Sequence, residues 1–303
     1  MLKDQLKLHF VVFIWGFTSI LGVLITLPAV EVVFYRTLIA AITLVGVMLV
    51  LGKSFRIRPR AVVKLLLTGF LVGGHWILFF ASAKVSTVSI CLAGMSTVAL
   101  FTSIFEPLIK KQPVKWYEMA LGGTVIFGLY LIFHFEFNHL LGLLLALWSA
   151  ALSAIFSILN SQFTKVHEPL TITFYEMVGA CLVCILFFPI YSVYLSDHGQ
   201  LVLALSLADF LYLSILAVVC TVYAFYVGVE IMKRLSAFQV NLTINLEPVY
   251  GIILAVMIFG EKEKMSPGFY YGALVILLSI FVYPLLNKFL PKWERYKAGV
   301  LKR

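Results

Sequence analysis

One stretch of this chain is present twice. Residues 84–130 reappear as 234–280, an offset of 150. In both copies a short basic turn leads to a serine (Ser86, Ser236), then to a long apolar segment, then to a second apolar segment opening on glycine (Gly122, Gly272). Glu247-Pro248 stands in the second copy where Thr97-Val98 stands in the first. The apolar segments number five per copy of the whole unit. A unit with an odd number of spans enters its second copy from the other face of the bilayer, so the copies are expected to be inverted. Inverted repeats enclose a site near the midplane that can open to either side in turn.

Composition places the chain in the membrane class. It has 303 residues, 62% hydrophobic and 12% charged, with mean hydropathy +1.04. That is far more apolar surface than a soluble domain of this size buries. Each apolar segment can cross about 30 Å of hydrocarbon as a helix of roughly 20 residues. Ten spans are expected, at 8–27, 30–51, 64–83, 86–109, 116–134, 139–163, 170–195, 208–231, 236–259 and 267–289. The first follows Lys3 and Lys7 like a secretory signal, but no small-residue cleavage site follows and a second span comes at once. It is read as a permanent helix. The longest connection opposite the termini, 196–207, contains Asp197, Gly199 and Ser206. Cys91, Cys181, Cys184 and Cys220 all lie in apolar segments. Cys181 and Cys184 have CxxC spacing but lack further metal ligands on their helix, so no disulfide framework or metal site is expected.

Lysine and arginine fix the orientation. Alternate connections carry Lys3, Lys7, Lys53, Arg56, Arg58, Arg60, Lys64, Lys110, Lys111, Lys115, Lys165, Lys233, Arg234, Lys288, Lys292, Arg295, Lys297, Lys302 and Arg303, which is 19 of the 23 basic residues. The opposite connections carry Lys84, Lys262 and Lys264, and Arg36 lies within a span. Both termini are therefore expected in the cytoplasm of a multi-pass protein of the cell inner membrane. The net charge of +9 follows from this asymmetry and from anionic lipid headgroups, and calls for no nucleic acid.

Polar groups within spans cost a few kcal/mol if they face hydrocarbon, so they point to an interior site. Glu247 lies about 11 residues into span nine, roughly 16 Å along a helix, near the midplane. Pro248 cannot donate to the carbonyl of Ile244 and predicts a kink. Asn241 and Asn245, four residues apart, share a face, with Glu247 roughly opposite, so the span needs protein or a wet cavity around it. The asparagines either line that cavity or join helices. Arg36 in Phe34-Tyr35-Arg36 and Glu176 in Phe174-Tyr175-Glu176 enter from opposite ends and lie about 10 Å apart in depth. Arg36 is nearer Glu247 in depth, although both Arg36 and Glu176 could also reach headgroups by snorkelling. His75, beside Trp76, is a proton relay, a substrate ligand or a hydrogen-bonded core residue. Trp15, Trp76, Trp148, Tyr223 and Tyr226 are aromatics within spans, available either for packing or for a pocket. Gly142, Ala146, Ala150 and Ala154, the adjacent Ser149, Ser153 and Ser157, and Gly69 with Gly73 read as packing seams. No phosphate loop, HExxH or GxSxG turn is present, and no soluble nucleotide domain fits. The residues support neither an enzyme nor a cofactor.

Ten short spans in two halves, Trp15-Gly16, and Leu246-Glu247-Pro248-Val249 followed by Phe259-Gly260-Glu261 resemble EamA-type members of the drug/metabolite transporter superfamily. The chain departs from that pattern in span four, where Val98 replaces a proline and Lys110-Lys111 replace the Gly-Glu pair. The resemblance implies an all-α membrane protein of two inverted five-helix repeats, residues 1–137 and 138–303. It implies a secondary transporter, an exporter by preference, of a small metabolite such as an amino acid, with efflux by alternating access. The substrate-binding or transport set is then Glu247, Asn241, Asn245, Pro248, His75, Trp15, Trp76, Trp148, Tyr226, Arg36 and Glu176. Its partners are a small-molecule substrate, the lipid bilayer and protons as a candidate coupling ion, carried by Glu247. A channel or a structural membrane subunit is the alternative.

Overall fold

The computed structural model describes residues 2–111, 116–135, 137–196 and 199–279, with 282 and 286. Among these the secondary structure is helical throughout, without strands. The helices are α1 (Leu2–Gly16), α2 (Thr18–Leu24), α3 (Ala29–Val50), α4 (Pro59–Val85), α5 (Val88–Met95), α6 (Val98–Lys110), α7 (Trp116–Phe135), α8 (Leu140–Phe163), α9 (Pro169–Tyr194), α10 (Leu207–Ala217), α11 (Ala224–Ile231), α12 (Ala237–Ile244), α13 (Glu247–Phe259) and α14 (Pro267–Ser279). A π-helical turn, Val218–Tyr223, joins α10 to α11. Eight segments are long and apolar enough to cross a membrane: α1–α2, α3, α4, α5–α6, α8, α9, α10–α11 and α12–α13. Ala120–Ile132 within α7 and α14 are shorter apolar stretches. The expected end of span ten, together with Asp197, Lys115, Lys288, Lys292, Arg295, Lys297, Lys302 and Arg303, lies outside the described residues.

Local sequence sets the helix starts. Pro59 and Pro169 occupy the first turns of α4 and α9, where a missing N–H costs nothing. Thr87, Ser206 and Ser236 are side-chain N-caps of α5, α10 and α12. The small-residue seams bring backbones together. A Cβ on Gly179 would stand 2.3 Å from the Leu66 carbonyl, and one on Gly69 would stand 2.4 Å from the Glu176 carbonyl. Only glycine permits this α4–α9 crossing. Ala146 meets Gly94, and Gly142 meets Ser86, where α8 crosses α5 and the end of α4. Outward faces are apolar, as in α3, where Ile42 and Leu49 are exposed.

Two of the long segments break at corresponding places. α5 ends at Met95 and α6 starts at Val98, while α12 ends at Ile244 and α13 starts at Glu247. The intervening residues match closely: Ser96 (φ −61°, ψ −9°) with Asn245 (−62°, −4°), and Thr97 (−79°, −4°) with Leu246 (−80°, −13°). Both pairs of helices have 8 and 13 residues. Thr87 and Ser236 cap the first helix of each pair, and Lys111 (φ 51°) and Gly260 (φ 59°) close the second in the left-handed region. The structural offset is thus 149, one less than the offset read from the sequence. Glu247 corresponds to Val98, and Gly260 to Lys111. The break in span four, which the missing proline gave no reason to expect, is a finding of the structure.

A second correspondence links the two ends of the molecule. The Tyr35 hydroxyl donates to the Leu203 carbonyl at 2.7 Å, and the Tyr175 hydroxyl to the Phe55 carbonyl at 2.8 Å. Leu203 lies in the connection after α9, at one end. Phe55 lies in the connection after α3, at the other.

Candidate functional site

The breaks bring side chains from several helices around one cavity. Trp15 and Thr18 reach it from the α1–α2 junction, Arg36 from α3, His75, Trp76 and Phe79 from α4, and Met95 from the end of α5. Ser153, Phe156, Ser157 and Asn160 line it from α8, Phe225, Gly228 and Val229 from α11, Met232 from the turn after it, and Ile244 and Glu247 from the break in span nine. The walls are aromatic and apolar, with two opposite charges.

Glu247 is the first residue of α13 and is 8% exposed. Its carboxylate makes no hydrogen bond with the described residues, and it sits at the positive end of the α13 dipole, which favours an anion. Pro248 follows it and carries no N–H, so the carbonyl of Ile244 lacks its helical donor; Ile244 lines the same cavity. Arg36 is fully buried. Its Nε donates to Thr221 Oγ1 at 2.7 Å, and its guanidinium carbon lies 3.8 Å from the centre of the Trp76 ring. A desolvated contact of this kind is worth about 2 kcal/mol. One terminal nitrogen, Nη1, has no partner among the described residues. Arg36 and Glu247 act on each other through space, with no ion pair within 4.0 Å between them. Arg36 is held in place by Thr221 and Trp76, and both groups keep binding capacity.

The π-helical turn explains how Arg36 is held. Such a turn offsets donors and acceptors along the helix and is frequent at functional sites. Here the Thr221 hydroxyl donates to the Leu216 carbonyl at 2.9 Å while accepting from Arg36, and the Cys220 carbonyl accepts from Trp15 Nε1 at 3.0 Å. Two cavity side chains are thus oriented by six residues, Val218–Tyr223.

The structure brings together five of the residues singled out from the sequence: Trp15, Arg36, His75, Trp76 and Glu247. His75 also has the hydrogen bonds of a core residue, since its Nδ1 lies 2.8 Å from Ser149 Oγ and 3.0 Å from the Ser149 carbonyl. The others lie elsewhere. Asn241 joins helices, its Nδ2 donating to Thr102 Oγ1 of α6 at 2.8 Å. Asn245 faces a second, smaller cavity between α6, α7, α12 and α14. Pro248 is buried behind Glu247. Trp148 is 66% exposed on the outer face of α8, because it points away from the serine face that follows it. Tyr226 packs among Leu8, Val11 and neighbouring apolar side chains, and Tyr223 is exposed. Glu176 is buried behind Asn160, whose Nδ2 donates to it at 3.2 Å. Ser153 and Ser157 line the cavity, although their stripe reads as a seam in the sequence.

The two ends of the bundle differ. The cavity reaches Asn160 and Met232, close to the basic connections after α8 and α11. At the opposite end three carboxylates fasten connections together. Asp209 accepts from Thr26 N at 2.7 Å, Thr26 Oγ1 at 2.8 Å and Ser206 Oγ at 2.6 Å. Glu263 accepts from Val88 N and Ser89 N, each at 2.9 Å, and from Ser89 Oγ at 2.8 Å. Glu31 accepts from Val202 N at 3.2 Å, and Lys84 donates to the Ile25 carbonyl at 2.8 Å. At the basic end Arg234 pairs with Asp4 at 2.7 Å, and Lys233 approaches Glu168 at 4.0 Å.

The model of the EamA-like transporter family matches this chain twice, over residues 6–134 and 140–283. A solved crystal structure of a protein 15% identical in sequence has a TM-score of 0.68, covering 94% of this chain and 99% of that one, and shares the fold. No curated protein matches the sequence.

Proposed function

Because the chain belongs to the EamA-like transporter family, we propose that its cavity carries a small zwitterionic metabolite of the amino-acid class, with an apolar or aromatic body, by alternating access. One observation carries this reading: Arg36 with a free donor and Glu247 without a hydrogen bond line the same aromatic-walled cavity. A substrate carboxylate would meet Arg36, for which guanidinium geometry is suited. Its ammonium would meet Glu247 and the freed Ile244 carbonyl, with the side chain among Trp15, Trp76, Phe156 and Phe225. A phosphorylated substrate would need more than one cation here.

The halves, residues 1–137 and 138–303, rock about this cavity as inverted five-helix repeats of a ten-span protein of the inner membrane. The paired breaks and the tyrosine contacts at opposite ends support inversion. The excess of lysine and arginine supports cytoplasmic termini, so the cavity opens inward and is sealed outward by Asp209, Glu263 and Glu31. This arrangement favours loading from the cytoplasm and export. The outer seal also favours a carrier over an open channel.

Exchange of radiolabelled amino acids in vesicles of purified protein tests the reading. Saturable counterflow supports it, and non-saturating flux without exchange would establish the channel. Orientation is tested by single cysteines at Arg58→Cys and Gly199→Cys in a background without native cysteines. In intact cells an impermeant thiol reagent should label the second and spare the first.

A further inference from the structure

Outside the charge pair of the cavity, three buried oxygen atoms lack partners in one neighbourhood. Glu176 Oε1, Asn160 Oδ1 and Thr173 Oγ1 each have no hydrogen-bond partner among the described residues. Thr173 and Glu176 are three residues apart on α9 and share a face. Asn160 crosses from α8 to donate a single bond to Glu176. Glu176 and Thr173 are fully buried and Asn160 nearly so. A buried carboxylate with one amide donor is a costly arrangement unless a positive partner completes it.

Among the described residues no cation forms an ion pair with Glu176. The helices packed against α9 are α3, α4 and α11. Their titratable groups are Glu31, Tyr35 and Arg36, then Arg60, Lys64, His75 and Lys84, then Tyr226 and Glu230. Tyr175, Cys181, Cys184, Tyr191 and Tyr194 share α9 with Glu176, and α8 carries no titratable residue. Within hydrogen-bond and ion-pair distance, Asn160 is what meets the Glu176 carboxylate among the described residues. The neighbourhood therefore contains one carboxylate, one amide oxygen and one hydroxyl with acceptor capacity unused. That is the donor chemistry of a site for a hard monovalent cation. Asn160 also lines the large cavity, which gives an ion a route in from the same wet space.

We propose that Glu176, Asn160 and Thr173 form a binding site for a monovalent cation, H⁺ or Na⁺, separate from Glu247 and Arg36. Its role as the coupling site rests on the transporter reading above; the binding itself does not. Occupancy neutralises Glu176 at the α8–α9 contact. The ion acts on a wall of the substrate cavity through Asn160 without entering the substrate's own site. Glu247 is then left to bind substrate, in place of the proton-carrying role that its depth in the sequence suggests.

The test uses the purified full-length protein with no substrate added. Equilibrium binding of radiolabelled Na⁺ and proton uptake after a pH step in unbuffered solution are compared in wild type, Glu176→Gln and Glu247→Gln. Wild type is expected to bind Na⁺ saturably or to take up protons that Glu176→Gln does not, and Glu176→Gln should remove the same component in the Glu247→Gln background. Thr173→Val keeps the carboxylate and separates the two ions. It should weaken Na⁺ binding by about tenfold, about 1.4 kcal/mol, while leaving proton uptake unchanged. It also serves if Glu176→Gln does not fold. Identical Na⁺ and proton uptake by wild type and the site variants overturns the proposal, as does a signal lost in Glu247→Gln alone. Failure of amino-acid exchange would instead overturn the substrate reading, because no substrate enters this measurement.

Discussion

The breaks at Ser96-Thr97 and at Asn245-Leu246 have nearly the same backbone and quite different chemistry. In the first, Thr97 N turns back to the Gly94 carbonyl at 3.1 Å, so the Ala93 carbonyl loses its helical donor. The Ser96 hydroxyl replaces it at 2.6 Å, and the Thr97 hydroxyl adds a bond to Gly94 at 2.7 Å. In the second, Leu246 N turns back to the Thr243 carbonyl at 3.0 Å, and Pro248 ensures that the helix cannot close over Ile244. No hydroxyl fills the gap, and Asn245 keeps both its amide atoms unpartnered. In the first break two hydroxyls meet the Ala93 and Gly94 carbonyls; in the second Asn245 adds no such bond and a carboxylate follows. Both interrupted helices reach the cavity, through Met95 and through Ile244 and Glu247, and the second brings a charged group to it. What sets them apart is the residue that begins the second helix, Val98 in one and Glu247 in the other.

The sharpest way to break this comparison is to remove that difference. Glu247→Gln keeps the shape and deletes the charge, and a charge-assisted hydrogen bond is worth about 1.5–3 kcal/mol. Amino-acid exchange should therefore fall by roughly 10- to 100-fold, with the protein still monodisperse by size exclusion. Val98→Ala at the matching position should leave exchange within about threefold of wild type, since it removes only apolar volume from a site without charge. Equal losses in the two variants would mean that both breaks serve packing alone.

The starts of the two interrupted helices give a second contrast, in stability. α12 is capped locally, with Ser236 Oγ accepting from Gln239 N and Gln239 Oε1 accepting from Ser236 N. α5 has its own cap, Thr87, and in addition the distant Glu263 carboxylate. Glu263→Gln presents an amide hydrogen to backbone donors and should cost about 2 kcal/mol. It should also make Thr87→Cys, at the end opposite the basic connections, more reactive toward thiol reagents. Ser236→Ala should cost about 1 kcal/mol and leave the end around Glu263 closed. Thermal unfolding in detergent, with the labelling rate as a second readout, separates them.

Much of this was readable from residues alone, for identifiable reasons. Apolar length placed the eight segments that are long enough to cross a membrane, and the small-residue stripes around Gly69 and Gly142 marked real crossings. Residue counting put Arg36 and Glu247 at similar depth, and they do share a cavity. The break in span four was hidden because Ser96 and Thr97 are common helix residues, and only their back-bonding to Ala93 and Gly94 gives them this role. The π-helical turn has no signature in Val218–Tyr223. Serine stripes are ambiguous, since the same small polar face suits a helix contact and a cavity wall; Ser149 serves the first and Ser157 the second. Trp148 shows the limit for aromatics, whose direction depends on helix phase. The carboxylates opposite the basic end left one signal in the sequence, the Ser206-x-x-Asp209 spacing of a helix start; the partner, Thr26, is 183 residues away.

The smallest predicted effect probes the backbone of the breaks themselves. In Ser96→Ala with Thr97→Val, the Ala93 carbonyl loses the hydroxyl that satisfies it, and a continuous helix becomes the competing way to fill it. In Pro248→Ala an N–H is restored that can donate to Ile244, so the second break can heal too. The first change removes two hydrogen bonds from a buried site and should cost about 1–2 kcal/mol, offset in part by the helical bonds gained. The second removes no existing bond and should leave the melting temperature within a few degrees, given about 2–4 °C per kcal/mol for a chain of 150–250 residues. Function should respond in the opposite order. Pro248→Ala brings the Ile244 carbonyl back into a helical bond, which takes one acceptor from the substrate ammonium, so its half-saturation concentration should rise severalfold. The Ser96/Thr97 variant should exchange with near-normal half-saturation, because no substrate group depends on that break. A larger half-saturation shift in the Ser96/Thr97 variant than in Pro248→Ala would place the binding break in span four and reverse the assignment.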